Sequence, residues 1–303
     1  MGWRTTGDVT EFLAVAGGLL RADRVRNTVI LSVTETMRAA AKSPPAAAKA
    51  PPATAKAPPA AGADPGRSPL FGWWADAAAA AVKGAFMHTP PFPLLLTAVP
   101  AAAAADLAAT TLDGRPVAGI NSYEEPAQAF AAAWRERTQG QVHVHRRMRL
   151  YRLAELSWPD PAPEGAPRLA REDDVALMAE WFSAFVHEVD DMGGEDQEAA
   201  VRDRISYGGL TVWEADGAPV ALADVTRQVA GMVRVGPVYT PPDLRGHGYA
   251  SAVTAEVSRA ARAAGAGEVL LYTDLANPVS NSIYQRIGYR NIEDRVVLSF
   301  TER

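Results

Sequence analysis

The sequence predicts an α/β (α+β) protein of two halves in tandem, each a mixed β-sheet flanked by helices. Three observations carry that expectation. At 303 residues the chain exceeds the roughly 250 to 300 residues at which a single hydrophobic core stops growing. Short β-rich runs alternate with segments of helical spacing in the same order in both halves. Between the halves, SWPDPAPEG, Ser157 to Gly165, holds three prolines, the composition of a linker. The expected division is therefore 1–156, a linker at 157–165, and 166–303.

In the first half, Asp8 to Ala22 places Phe12, Leu13, Ala16, Leu19 and Leu20 at helical spacing, and Asn27 to Val33 reads as a strand. From about Ala39 to Ser68, Pro-Pro pairs at Pro44, Pro51 and Pro58 recur within PPAAAKA, PPATAKA and PPAAGAD. Proline removes helix and ladder hydrogen bonds, so this insertion is expected to be extended and flexible, with a docking role as the other reading. Leu70 to Trp74, Val82 to Met87 and Pro93 to Val99 are short strand-like runs bounded by Gly or Pro. Asp106 to Thr111 and Pro126 to Arg137 read as helices, and His143 to Leu153 alternates as a closing strand.

The second half opens with Glu172 to Val189, where Met178, Trp181, Phe182, Phe185 and Val189 share one helical face. Glu172, Asp173 and Asp174 suit a helix start, where acids meet the positive end of the dipole; a metal site is the competing reading. Leu210 to Glu214 and Pro219 to Val225 flank Asp216-Gly217, a hairpin turn pair. Met232 to Tyr239 is a strand, Ser251 to Ala264 a helix closed by Gly265, Val269 to Thr273 a buried strand, Pro278 to Ile287 a helix and Arg295 to Phe300 the last strand.

Composition excludes several classes. A net charge of −5 argues against nucleic acid, whose binding needs surplus Lys and Arg. With no cysteine, disulfides, thiolate zinc sites and cysteine nucleophiles are ruled out, and a cytoplasmic location is consistent. Asp8 and Glu11 interrupt what a signal peptide would need. Pro93 to Ala105 is shorter than the roughly 18 apolar residues of a membrane span.

The chemistry concentrates in VGPVYTPPDLRGHGYASAV, Val235 to Val253: a strand, a loop of Pro and Gly, then a helix start. Unpaired N–H groups there, at the positive dipole end, can hold a pyrophosphate. The glycines let the backbone approach, and Arg245 can add charge. Taken alone the loop is weak evidence, since many such loops only turn the chain. It is not a P-loop, because no Lys-Ser or Lys-Thr follows the glycines, nor G-x-G-x-x-G, because Ser251 stands at the third glycine. Thirty-two residues after Arg245, Asn277-Pro278 suits a cap and first helical residue, and Tyr284 lies two turns on, on the same side. By itself Tyr284 reads as core.

Together, R-x-x-G-x-A at Arg245, Gly248 and Ala250, followed by N-x6-Y-x3-G-Y at Asn277, Tyr284, Gly288 and Tyr289, resembles the GNAT superfamily of N-acetyltransferases over Leu169 to Arg303. The resemblance implies a mixed, splayed sheet and acetyl-CoA as cosubstrate, with no metal. It implies that Val238, Tyr239 and Thr240 present backbone groups to the pantetheine arm, and that Arg245, Gly246, His247, Gly248, Tyr249 and Ala250 hold the pyrophosphate. Asn277 would contact the cofactor. Tyr284 would also contact it, as the acid that protonates the departing thiolate.

The attacking amine must lose a proton from an ammonium of pKa about 10. Asp224, Glu214 and Glu188 are the candidate bases, and the sequence does not choose among them. His143 and His145 share a strand face without a third ligand, and His187-Glu188 lacks the second histidine of H-E-x-x-H. The first half resembles a degenerate copy: Pro100-Ala101-Ala102-Ala103-Ala104 replaces the glycine loop, and Phe130 stands near the tyrosine position. The expected activity is transfer of an acetyl or short acyl group to a primary amine, with a small-molecule acceptor favoured and peptide or protein lysines as the other possibility. A noncatalytic acyl-CoA sensor, or an interaction protein using the Pro-Ala-Lys insertion, are the alternatives. Oligomeric state is not legible.

Overall fold

A computed structural model of the chain describes residues 2–42, 68–75, 81–112, 114–189 and 196–302. The chain divides into two compact units, Met1–Met148 with Asp294–Arg303, and Arg149–Glu293. Each is a mixed sheet flanked by helices.

The first unit begins with β1 (Gly2–Thr6), then α1 (Val9–Ala22) and α2 (Thr28–Lys42). Asp8 caps α1 by accepting from the N–H groups of Thr10 and Glu11, and Phe12, Leu13, Ala16 and Leu20 form its buried face. The expected strand Asn27 to Val33 is instead the first part of α2. Ile30, Leu31 and Thr34 are buried at helical spacing, so packing overrides the β-propensity of Val29 and Ile30. The helix also takes in Ala39 to Lys42 from the expected insertion; residues 43–67 of that insertion lie outside the described residues.

Three strands follow, β2 (Leu70–Ala75), β3 (Val82–His88) and β4 (Leu94–Leu96). The last is shorter than the expected Pro93 to Val99. Helix α3 (Ala101–Asp106) and a π-helical turn, Leu107–Thr111, lead to β5 (Gly119–Ser122), α4 (Glu124–Thr138) and β6 (Gln141–Leu153). Pro126 is tolerated because it lies in the first turn of α4. In this unit the strand order is β1-β2-β3-β4-β5-β12-β6, β12 being Tyr289–Thr301. Phe300 of β12 stacks on Trp134 at 4.4 Å and on Phe130 at 5.9 Å. Phe130 is thus core.

The second unit contains the inner parts of β6 and β12 with β7 (Ala166–Leu169), α5 (Val175–Glu188), α6 (Gln197–Ser206), β8 (Leu210–Ala215), β9 (Ala218–Val225), β10 (Met232–Tyr239), α7 (Tyr249–Ala263), β11 (Glu268–Asp274) and α8 (Pro278–Arg286). Its strand order is β12-β6-β11-β10-β9-β8-β7. The Ser157–Gly165 stretch carries no helix or strand and lies within this unit, after β6. In both units a succession of antiparallel pairs leads to one parallel step, β4 to β5 and β10 to β11.

The turn between β8 and β9 has Asp216 at φ 51° and Gly217 at φ 74°, as a two-residue hairpin requires. Two layers cover the sheet of this unit. Ala221, Ala223, Val233, Val235, Val253 and Val257 belong to the core against α7. Leu222, Val212 and Tyr239 belong to the core that includes Met178, Trp181, Phe182 and Val201 of α5 and α6. Two of the acids at 172–174 form ion pairs, Asp174 with Arg168 and Glu172 with Arg202. Among the described residues no helix is long and apolar enough to cross a membrane.

Candidate active site

The parallel pairing of β10 with β11 runs from Met232↔Glu268 to Val235↔Leu271, and beyond it both strands continue, to Tyr239 and Asp274. On its other edge β10 pairs with β9, with a break in register between Val235 and Val238. Gly236 takes φ 132° in that break, and Pro237 brings no N–H. Past Val235, then, β10 stays with β9 and leaves β11, opening a crevice at the carboxyl ends of two parallel strands, the usual ligand position in such sheets. Val238, Tyr239 and Thr240 follow the break. The Thr240 hydroxyl is buried and makes no hydrogen bond.

From Thr240 the chain turns through Pro242–Leu244, where Leu244 N–H donates to Pro241 O and Arg245 N–H to Pro242 O. Gly246 and Gly248 take φ 86° and 85°, values that favour glycine. Gly248 is the N-cap of α7 and has no side chain to satisfy the first turn, whose first cap hydrogen bond is Ala252 N–H to Gly248 O. The N–H groups at the start of α7 are therefore left for a ligand or water. A Cβ at Gly246 would meet nothing within 4 Å. His247 stacks on Tyr249 at 5.6 Å, and Ala250 is the second residue of the helix.

Arg245 is held at the side of this loop. Its Nε donates to Thr240 O at 2.9 Å, and Nη2 donates to both carboxylate oxygens of Glu188 at 2.6 and 2.9 Å. Both side chains are about half exposed, a setting in which an ion pair contributes about 0 to 1 kcal/mol and an arriving anion competes with it readily.

The other wall of the crevice is α8. Asn277 caps it, its Oδ1 accepting from Ser280 N–H at 3.0 Å, with Pro278 in the first turn. Asn281 donates to Asp274 O and Asn277 O at 2.8 and 2.7 Å and accepts from the Tyr151 hydroxyl at 3.0 Å. Gln285 donates to that same hydroxyl at 2.9 Å. Tyr151 thus ties β6 to α8, with its ring 6.4 Å from that of Tyr284. Tyr284 itself is 9% exposed, and burial pushes its phenol up to about 12 against the opposing hydrogen bond to Ser280. Tyr289 is bonded to Ser258 at 2.7 Å between hydroxyls, and Gly288 lets the chain at Glu155 pass against it.

Of the three carboxylates considered as bases, Glu188 is paired with Arg245 and Glu214 with Arg168. Asp224 is 1% exposed. His143 and His145 are exposed on β6, and the described residues contain no group of three or more metal-ligating side chains. Sequence reasoning missed Tyr151, Asn281 and the Thr240 hydroxyl's burial. The first sat in a strand with no distinguishing motif, and the second stood inside a motif whose fixed positions are elsewhere.

In the first unit the equivalent place is filled. β4 and β5 run parallel at Leu94↔Ile120 and Leu95↔Asn121. The next carbonyl, Leu96 O, accepts from Arg295 Nη2 at 2.6 Å and from the Ser122 hydroxyl at 3.2 Å. Arg295 also donates to Asn121 O and Oδ1 at 3.1 and 3.0 Å. Only residues 97–100 separate β4 from α3, whose N-cap is Pro100.

A parallel pair that parts before a glycine-capped helix, with a second helix closing the far side, is the GNAT acetyltransferase fold, and the solved structures agree. The chain is similar to a Drosophila protein, at 12% identity, TM-score 0.64 and coverage of 99% of this chain and 98% of that one. It is similar to a GNAT-family acetyltransferase from Colwellia psychrerythraea, at 12% identity, TM-score 0.53 and coverage of 77% and 85%. A GCN5-related N-acetyltransferase from Sphaerobacter thermophilus matches at 16% identity, TM-score 0.52 and coverage of 80% and 82%. More particularly, residues 216–298 match the FR47-like protein family model, a segment that holds β9 to α8 and most of β12. No curated protein matches.

Proposed function

We propose that the chain is an acetyl-CoA-dependent N-acyltransferase that moves an acetyl or other short acyl group to the primary amine of a small molecule, by direct attack in a ternary complex. The observation that carries this reading is the parting of β10 from β11 beside a helix start whose cap is glycine. The backbone of Val238 to Thr240 is set to meet the pantetheine arm. The partnerless Thr240 hydroxyl, which costs about 1 to 3 kcal/mol if left unsatisfied, fits a polar ligand there. The first-turn N–H groups of α7, with Gly246, His247, Gly248, Tyr249 and Ala250, form the pyrophosphate cradle, and Arg245 adds its charge on leaving Glu188. Asn277 holds the start of α8 beside the crevice.

Tyr284 is the acid. At neutral pH its phenol is protonated, as the role needs. A thiol has a pKa near 8.5, so complete transfer from a phenol of about 12 is uphill by about 5 kcal/mol. Tyr284 therefore acts first by donating a hydrogen bond to the sulfur as negative charge develops, with transfer completed as solvent enters. The absence of cysteine leaves no thiol to carry an acyl-enzyme, in keeping with direct attack.

The test is CoA release from acetyl-CoA in the presence of primary amines, by wild type and Tyr284→Phe. Wild type is expected to turn over. The variant should lose 10- to 1000-fold in kcat with acetyl-CoA affinity within about threefold, the range of one general acid. A wild type that binds acetyl-CoA but acetylates nothing would instead support the sensor reading.

A further inference from the structure

We propose that Asp224 is the proton acceptor for the incoming amine. The proposal rests on the acyltransferase reading and supplies the base that reading lacks.

Asp224 sits on β9 between Ala223, which pairs with Val238, and Val225, which pairs with Val235. It therefore lies across from Gly236 and Pro237, the two residues at which β10 leaves β11. Strand alternation fixes its side. Ala223 and Val225 face the α7 core, as do Val233 and Val235 of β10, so Asp224 faces the α5 and α6 layer together with Arg234. A Cβ on Gly236 would meet nothing within 4 Å; there is open room at the break in β10. The carboxylate thus sits on the strand directly opposite that break.

The carboxylate is only half satisfied. Oδ2 accepts from Arg204 Nε, whereas Oδ1 is buried and has no hydrogen-bond partner. A buried ion pair held for stability alone would satisfy both oxygens, since a bare one is costly. The charged and titratable groups around it are Arg204 and Asp203 of α6, Tyr207 just after α6, and Arg234 of β10. Tyr207 does not fill the vacancy, because its hydroxyl donates to Val225 O at 3.1 Å. Burial raises the carboxyl to about 6, against the charge and hydrogen bond of Arg204 and the charge of Arg234. Asp224 is thus ionised at neutral pH and holds a proton more firmly than a solvated carboxylate.

The step balances as follows. The ammonium of the acceptor gives one proton to Asp224 Oδ1. The amine nitrogen then bonds to the acyl carbon, and the carbon–sulfur bond breaks with its electron pair on sulfur. Sulfur takes the Tyr284 proton, and the second nitrogen proton, released as the amide forms, restores the phenol through water. Asp224 returns its proton to solvent, so one proton is released per turnover.

The experiment measures acetyl-CoA affinity and the pH profile of kcat for CoA release to benzylamine, tryptamine, ethanolamine and spermidine. For wild type, kcat is expected to rise with pH to a break near 6. Asp224→Asn should lower kcat at least about 100-fold and remove the break, with acetyl-CoA affinity within threefold of wild type. Arg204→Gln, which removes the guanidinium that favours the carboxylate, should move the break to higher pH, and it remains a test if the Asn variant does not fold. An Asp224→Asn protein within threefold of wild-type kcat, or a break that neither substitution moves, overturns the base assignment while the acyltransferase reading stands. A folded wild type that fails to bind acetyl-CoA brings down both.

Discussion

Gly288 offers a quantitative test of how the chain is built around Tyr284 and Tyr289. An alanine Cβ at this position would lie 1.8 Å from the carbonyl oxygen of Glu155, on a backbone at φ 105°. Backbone strain of that kind costs about 1 to 3 kcal/mol. Relief requires the segment at Glu155 to withdraw, which threatens the hydrogen bonds from Ala154 N–H to Gly288 O and from Ser157 N–H to Ile287 O, both 3.1 Å, at about 1 kcal/mol each. Gly288→Ala should therefore destabilise the second unit by about 3 to 5 kcal/mol, lowering its melting temperature by on the order of 10 °C. Gly217→Ala is the control: φ is 74°, but a Cβ there meets nothing within 4 Å, so the cost is left-handed strain alone, about 1 to 2 kcal/mol. Calorimetry with peptide-resolved hydrogen exchange assigns the transition to the unit. Equal shifts for the two variants, or a Gly288→Ala shift under about 2 °C, would refute the close-approach argument.

Two further outcomes are expected. Thr240→Val removes a buried hydroxyl that has no partner, so urea unfolding should show a stability unchanged or raised by about 1 kcal/mol, while calorimetric affinity for acetyl-CoA falls several-fold; lower stability with unchanged affinity would be the opposite result. His88, buried on β3 and accepting from Arg115 Nε at 3.0 Å, is pushed down to about 4, by burial first and by the Arg115 charge second. Its folded value is below the ordinary 6.5, so the unfolded chain binds the proton first; its contribution is full above pH 6.5 and is lost as pH falls toward 4, about 3 kcal/mol in all. Unfolding measured from pH 7 to 4 should show that loss in wild type and a flatter curve in His88→Gln.

Much of the second unit was legible because its signals are local. The Asp216-Gly217 turn, Gly248 before α7 and Asn277-Pro278 before α8 each mark a boundary through the backbone geometry that those residues prefer. α2 was not legible, since Val29 and Ile30 favour a strand by propensity and only the burial of Ile30, Leu31 and Thr34 decides for a helix. α6 was missed for a related reason: Val201 is its one buried residue, and a single apolar position shows no period. At the site, motif spacing picked out Tyr284 and Arg245, but their surroundings come from contacts distant in sequence. Glu188, which holds Arg245, is 57 positions away, and Tyr151, beside Tyr284, lies on β6. For the same reason three carboxylates looked alike in sequence, although only Asp224 among them is buried at the break in β10.

The central claim, that the crevice between β10 and β11 takes acetyl-CoA, is tested most directly by titrating the full chain with acetyl-CoA in a calorimeter and following its melting temperature. Because Arg295 and Ser122 already occupy Leu96 O in the first unit, one site per chain is predicted, with about 2.7 kcal/mol of added stability at 100 times the dissociation constant. A folded chain that shows neither heat nor thermal shift at millimolar acetyl-CoA would contradict the account, and two sites per chain would contradict the closure of the first unit.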